Sequence, residues 1–203
     1  MLAHWNERYS HPEYAYGTAP NEWFKYQLAQ LPAKGRILLP AEGEGRNAVY
    51  AAQEGWEVHA FDPSKAGRDK ALSLAQKESV LIDYKCGFLE EMPYQPESFD
   101  AIGLIFAHLP QDQQAFHKRL TDLLRPGGYV ILEAFSRSNL SYREKNPSIG
   151  GPPKLEMLFT TQMIKEHFVG FETLYLKEEE VQLNEGRFHQ GTGMVIRFLG
   201  QKL

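Results

Sequence analysis

A chain of 203 residues with 42% hydrophobic and 24% charged side chains has the balance of a globular domain, and that length predicts one full core rather than two. A formal net charge of -4, with no lysine- or arginine-dense stretch, argues against a nucleic-acid backbone as the main partner. No run of about 18 apolar residues is present and the first residues, MLAHWNERYSHPEY, lack the apolar segment of a secretory signal, so neither a membrane span nor export is expected and the cytoplasm is the expected location.

The first 35 residues read as an aromatic-rich cover ahead of the sheet, with a helix starting near Asn21. Residues 36–135 alternate strand-like and helix-like stretches, the pattern of an α/β sheet. The apolar run 36–40 predicts the first strand. A glycine-containing turn follows, then a helix over 46–54 that Gly55 ends in the C′ position. Residues 57–61 predict the second strand. Ser64 is an N-cap for a helix reaching Glu78, with Gly67 weakening its first turn. Residues 80–85 predict the third strand and 99–106 the fourth. The lone cysteine, Cys86, cannot form an intrachain disulfide; it reads as a small residue at a strand end or as a reactive thiol.

From Gln111 to Leu124 the pattern is amphipathic, with Phe116, Leu120, Leu123 and Leu124 on one face. Arg125, Pro126, Gly127 and Gly128 stop that helix, and 129–135 predict the fifth strand. Residues 136–154, rich in Ser, Asn, Gly and Pro, read as a long loop lying over a site. A helix over 161–168 ends at Gly170. Two closing strands, 171–183 and 193–199, are joined by a short polar connection and should pair antiparallel. The whole predicts an α/β, Rossmann-like, mostly parallel sheet with helices on both faces. It forms one domain of cover (1–35), core (36–135) and a lid loop, helix and hairpin (136–203).

The most informative segment is Ile37-Leu38-Leu39-Pro40-Ala41-Glu42-Gly43-Glu44-Gly45-Arg46-Asn47-Ala48, a strand running through a glycine pair into a helix. Glycine is needed where the backbone turns tightly and a ligand approaches it closely. Asp62 ends the next strand, 17 residues after Gly45, a place that suits two ribose hydroxyls. The spacing Gly43-x-Gly45-x-x-Ala48 also fits a dinucleotide fingerprint, but that ligand sets a doubly anionic pyrophosphate on the turn, against Glu42 and Glu44. S-adenosylmethionine carries no phosphate, and its sulfonium and ammonium suit an acidic turn. Alternatively, both glutamates point into solvent.

Four pieces then resemble the class I methyltransferases, and more narrowly their tellurite-resistance branch. They are Gly43-Glu44-Gly45-Arg46-Asn47-Ala48, Phe61-Asp62-Pro63-Ser64, Ser98-Phe99-Asp100-Ala101-Ile102 leading to Ile105-Phe106-Ala107-His108-Leu109-Pro110, and Leu124-Arg125-Pro126-Gly127-Gly128. The segments 5–9 and 16–17 and the end, Glu185-Gly186 with His189 and Gly191, are similar to that branch too. The resemblance implies a seven-stranded sheet with an antiparallel edge pair and S-adenosylmethionine as cofactor. It implies that Asp62, with Pro63, holds the ribose and that Ala41, Glu42, Gly43 and Gly45, with Asn47, lie against the methionine part. Gly87 and Phe88 flank the adenine, and Phe106 and Ala107 face donor and acceptor. The chain departs from the family at Leu39, where an acidic residue is usual, at Ala41 and Glu42, where Gly-Cys is usual, and at Gly87, where an aspartate is common.

Methyl transfer is an in-line displacement, so a soft acceptor needs no base, whereas a protic oxygen or nitrogen needs one within hydrogen-bond reach. His108, at the carboxyl end of a strand, and His189, between the closing strands, are the catalytic candidates; the alternatives are a helix-entry histidine for His108 and a simple surface histidine for His189. Tyr9 and Tyr16 either close over the donor or pin the cover to the core. Arg8 either pairs with the donor's carboxylate or is solvated. Gly150-Gly151-Pro152-Pro153 is either a hinge or plain loop. No spaced histidine or cysteine pair predicts a metal. The expected function is methyl transfer to a small molecule (thiol, chalcogen oxyanion or amine) by a monomer or weak dimer. A non-catalytic module binding the donor or its demethylated product, and a nicotinamide-dependent oxidoreductase, are the alternatives.

Overall fold

The computed structural model describes residues 2–108 and 112–203. In chain order these form α1 (Leu2–Tyr9), α2 (Glu22–Leu28), β1 (Arg36–Pro40), α3 (Arg46–Gln53), β2 (Glu57–Asp62), α4 (Lys65–Lys77), β3 (Asp83–Cys86), β4 (Phe99–Ile105), α5 (Gln113–Leu123), β5 (Leu124–Phe135), α6 (Asn139–Lys145), α7 (Thr161–His167), β6 (Phe171–Glu185) and β7 (His189–Lys202). The strands make one seven-stranded sheet in the order β3-β2-β1-β4-β5-β7-β6. The five strands from β3 to β5 run parallel, and β7 returns antiparallel to both β5 and β6. Among the described residues no helix is long and apolar enough to cross a membrane.

β1 is the middle of the five parallel strands, and its side chains are apolar on both faces, as a covered parallel strand requires. Ile37 and Leu39 face one layer with Trp23, Phe24 and Leu28 of α2 and Ala48 and Ala51 of α3. Leu38 faces the other, with Ile102, Val130, Leu132, Phe168 and Phe198. Gly103 lets α2 approach the sheet: a Cβ there would lie 2.9 Å from Phe24 Cε2 and 2.5 Å from Leu39 Cδ2. The helix caps are those read from the sequence. Asn21 Oδ1 accepts from Phe24 N at 2.9 Å, Ser64 Oγ accepts from Gly67 N at 3.1 Å, and Gly55 takes φ 86° after α3.

The structure differs from the sequence expectations at five places, one being the closing strands, which run on to Glu185 and from His189 to Lys202. The third strand begins at Asp83 rather than at residue 80, because the chain reaches β2 only at His59 and Leu81 points into solvent. The fifth strand already touches β4 at Leu124, although regular pairing starts at Tyr129. Residues 136–154 are not a loop. They contain α6, where Leu140 and Tyr142 pack on Phe135, Ile149 and Val195; that packing overrides a turn-rich composition. The cover carries a further helix, α1, whose Asn6 Oδ1 accepts from Ser64 Oγ at 2.7 Å and from Ala66 N at 3.4 Å. The Leu109-Pro110 pair and the helix start expected at Gln111 lie outside the described residues.

His117 of α5 is buried between Phe159 and Phe168, with ring centroids 5.7 and 5.1 Å away, and its Nδ1 lies 3.0 Å from His167 Nδ1. Burial, with His167 and His108 nearby, pushes its pKa down to about 3. A histidine with a lowered folded pKa stabilises fully above its unfolded value and loses that contribution as pH falls. The stability difference between the wild type and His117→Asn should therefore shrink by about 1.3 kcal/mol between pH 7 and 5.5 in urea titrations. A difference independent of pH would show that the ring titrates in the folded chain as it does in the unfolded one.

Candidate functional site

The site is assembled where β1, β2, β4 and β5 end, and each piece has a local cause. The turn after β1 is wound left-handed at three positions, with φ of 52° at Ala41, 60° at Gly43 and 85° at Gly45. Ala41 accepts this strain where the family resemblance implies glycine. Gly45 cannot carry a side chain, since a Cβ would lie 2.5 Å from the Cβ of Ala71 on α4. A Cβ on Gly43 would lie 2.6 Å from the hydroxyl of Tyr9, so α1 closes directly on the turn.

Both turn glutamates point inward, which corrects the solvent-facing alternative. Glu42 Oε1 accepts from Asn47 N at 2.9 Å and Ala48 N at 2.8 Å, so its carboxylate caps α3. Burial raises its pKa to about 7, against those hydrogen bonds and the charge of Arg46. Glu44 is buried, accepting from Ala15 N at 2.7 Å and from Lys70 Nζ at 2.6 Å. The expectation of an acidic turn reserved for a cationic ligand is therefore corrected: one carboxylate is taken by a helix terminus and the other by a lysine. Asn47, at the helix start, is engaged with the cover; its Oδ1 accepts from Asn21 N at 2.9 Å.

Asp62 ends β2 and is buried. Its Oδ2 accepts from Gly43 N at 3.2 Å and its Oδ1 from Ser64 N at 2.8 Å. It has no ion-pair partner among the described residues, and burial lifts its pKa to about 6 against those two bonds. A carboxylate offers about four acceptor positions. With two used, this one keeps capacity for a pair of hydroxyls. Pro63 follows, its carbonyl accepting from Cys86 Sγ at 3.4 Å, and Gly87 N donates to Asp62 O at 3.1 Å. The ring of Phe88 beside them is exposed.

At the end of β4, Phe106 takes φ 52° and its ring meets those of Phe135 and His189, with centroids 4.7 and 4.5 Å away. Ala107 is buried behind it. His108 is held by backbone on both sides. Its Nδ1 lies 2.7 Å from Met157 O and its Nε2 accepts from Phe135 N at 3.0 Å, so both ring nitrogens are tied to backbone. Burial lowers its pKa to about 4, against the Met157 bond. His189 differs. Its Nδ1 lies 2.8 Å from Glu185 Oε2, and Nε2 has no partner among the described residues. Tyr16 packs against it, tilted, with ring centroids 4.5 Å apart, and receives a hydrogen bond from Arg8 Nη1 at 2.7 Å; the Arg8 guanidinium lies 4.4 Å over Phe188. Tyr9 packs on the turn at Gly43 and Tyr16 on His189. Sequence reasoning gave no functional part to Asn6 or Lys70, whose partners lie far away in the chain, and it marked Glu185 only as part of a family-like segment, not as the partner of His189.

A mixed sheet of this order, with a glycine turn after β1 and a strand-end carboxylate on β2, is a Rossmann-like fold. Residues 39–132 match the family described as a methyltransferase domain. The ubiquinone biosynthesis O-methyltransferase of Coxiella burnetii (strain Dugway 5J108-111) is 28% identical over 121 residues, which are 58% of this chain and 51% of that protein. This chain thus spans about half the length of that relative. Among solved structures, one titled for the conversion of a disulfide bond into a thioacetal group during echinomycin biosynthesis superposes with a TM-score of 0.77 at 14% identity, over 99% of this chain and 90% of the other. TehB from Haemophilus influenzae superposes with a TM-score of 0.70 at 19% identity, covering 92% and 63%. The residues present fit S-adenosylmethionine: Asp62 has free accepting capacity, and the basic side chains beside the turn, Arg46 and Lys70, are paired with Glu185 and Glu44.

Proposed function

We propose that this chain transfers the methyl group of S-adenosylmethionine to a small-molecule acceptor beside Phe106 and His189. The observation that carries the reading is Asp62, a buried carboxylate at the end of β2 with two hydrogen bonds and no cation. Asp62 would hold the ribose hydroxyls, with Pro63 beside it. The turn of Ala41, Glu42, Gly43 and Gly45, stiffened by Asn47, would lie against the methionine part. Gly87 and Phe88 would flank the adenine, and Arg8 would meet the carboxylate. Bound S-adenosylmethionine supplies a methyl group on a cationic sulfur, a good leaving group.

The chain's own contribution is position and exclusion of water. Tyr9 and Tyr16 close the donor side, and the segment after α6 closes the acceptor side: a Cβ on Gly151 would lie 2.9 Å from the ring of Phe135. Holding donor and acceptor in line is worth roughly 7–11 kcal/mol in favourable cases. Thiol, chalcogen oxyanion and amine acceptors are the classes to screen, and the O-methyltransferase name of the relative adds hydroxyls. The net charge of -4 supports a small molecule over a nucleic acid.

Calorimetric titration with S-adenosylmethionine, its demethylated product S-adenosylhomocysteine and NAD tests the reading. Binding of the first two without NAD is expected. Binding of NAD alone, or of none, would overturn it.

A further inference from the structure

Glu185 and His189 face each other across the turn between β6 and β7, and the contacts fix which nitrogen of His189 carries hydrogen. Glu185 Oε2 lies 2.8 Å from His189 Nδ1 and 2.9 Å from Arg46 Nη2, while Asn21 Nδ2 donates to Oε1 at 3.0 Å. Against burial, the His189 bond and the Arg46 charge bring the Glu185 pKa down to about 2. An ionised carboxylate only accepts, so Nδ1 is the donor. Burial holds the His189 pKa below its ordinary value; Glu185 raises it, and Arg46 and Arg8 lower it further. The ring is therefore neutral, with a lone pair on Nε2. No described residue takes that lone pair, in contrast with His108.

The surroundings are aromatic and cationic. Tyr16, Phe106 and Phe135 contact the ring with centroids 4.5, 4.5 and 5.2 Å away. Gly150 backs it, since a Cβ there would lie 2.8 Å from Cδ2. Arg8 and Arg46 disfavour an ammonium and favour an acceptor that develops negative charge.

We propose that Glu185 is a positioning residue that sets His189 Nε2 as the base, and that the acceptor is a hydroxyl or thiol whose proton Nε2 removes. This rests on the methyl-transfer reading above. The O–H or S–H bond breaks toward Nε2, and its electron pair stays on the acceptor atom, which becomes the nucleophile. The imidazolium so formed keeps its Nδ1–H on Glu185 and returns the proton to solvent after the product leaves. A merely structural Glu185 would tie down the turn with no consequence for proton transfer.

Long-range proton–nitrogen correlation spectra of the ¹⁵N-labelled full chain, saturated with S-adenosylhomocysteine, read the tautomer directly. At pH 7 the wild type should show Nδ1 protonated and Nε2 bare, and Glu185→Gln should show a mixture of tautomers. In parallel, methylation of phenol and thiophenol is compared with that of dimethyl selenide, whose selenium carries no proton. His189→Asn should lower the rate ratio of phenol to dimethyl selenide about 10²-fold. Glu185→Gln should move the acidic limb of kcat/KM to lower pH, because the ring loses the carboxylate that raises its proton affinity. An imidazolium or an Nε2–H tautomer in the wild type, or an unchanged rate ratio, would overturn the proposal. Failure of S-adenosylhomocysteine to bind would instead sink the methyl-transfer reading, while the spectra of the unliganded chain still decide the Glu185–His189 arrangement.

Discussion

Asp62→Ala is expected to weaken S-adenosylmethionine binding about 10²-fold, read as the calorimetric Kd. Hydrogen bonds to a charged group contribute about 1.5–3 kcal/mol each, and a pair of ribose hydroxyls would make two, so about 3 kcal/mol is a conservative loss. The same carboxylate accepts from Gly43 N and Ser64 N, so alanine also leaves two buried donors unpaired and lowers the stability of the free chain. Asp62→Asn separates the effects: it keeps an acceptor for the backbone and removes the charge, so affinity should fall more than stability. The pH dependence follows from the raised pKa of about 6. The ionised form accepts the hydroxyls, so affinity should be level above pH 7 and weaken as pH falls through 6, approaching tenfold per unit. For the free chain the sign is opposite. A carboxyl whose folded pKa lies above its unfolded one takes up a proton on folding, so its contribution is greatest at low pH and is lost as pH rises through 6. Affinity that does not change between pH 7.5 and 5.5 would exclude Asp62 from the donor site.

What the sequence made legible was local. The first strand, its glycine turn, Gly55 at the end of α3 and the caps at Asn21 and Ser64 were all readable, since each depends on neighbours within a few residues. Asp62 was readable for the same reason: its place is set by where β2 stops. Side-chain direction was not. Glu42 and Glu44 looked alike in the sequence, yet one caps a helix and the other pairs with Lys70, because the turn rotates between them through the left-handed Gly43. His108 and His189 looked alike as candidates. Only the return of Met157 and Phe135 against one, and of Glu185 against the other, distinguishes an occupied ring from a free nitrogen. Residues 136–154 failed differently: their composition favours turns, but the apolar surface of Phe135 and Val195 makes a helix the better cover.

Lys70→Ala is expected to destabilise the chain by about 3–5 kcal/mol, read as a fall in the urea midpoint, because it strands Glu44. The Glu44 side chain is 4% exposed and that of Lys70 17%. Without Lys70, Glu44 keeps the Ala15 amide as its donor in a place from which water is excluded. Lys70 also donates to Glu13 O at 2.6 Å and lies 4.8 Å over the ring of Tyr14, so one ammonium ties α4 to two points of the cover and to Glu44 in the turn after β1. The reverse change should matter less. In Glu44→Gln the amide oxygen still accepts from Ala15, and the longer lysine reaches solvent, so about 1–2 kcal/mol is expected. Replacing both, as Glu44→Gln with Lys70→Met, should recover most of the loss. The expense of a broken pair lies in the charge left behind, not in the attraction removed. Release of the cover should be visible separately, as faster hydrogen exchange at Ala15 N and faster dissociation of S-adenosylmethionine in Lys70→Ala. Equal losses in the two single variants would mean that the pair is solvated and that α1 and Tyr9, packed on Gly43, hold the cover by themselves.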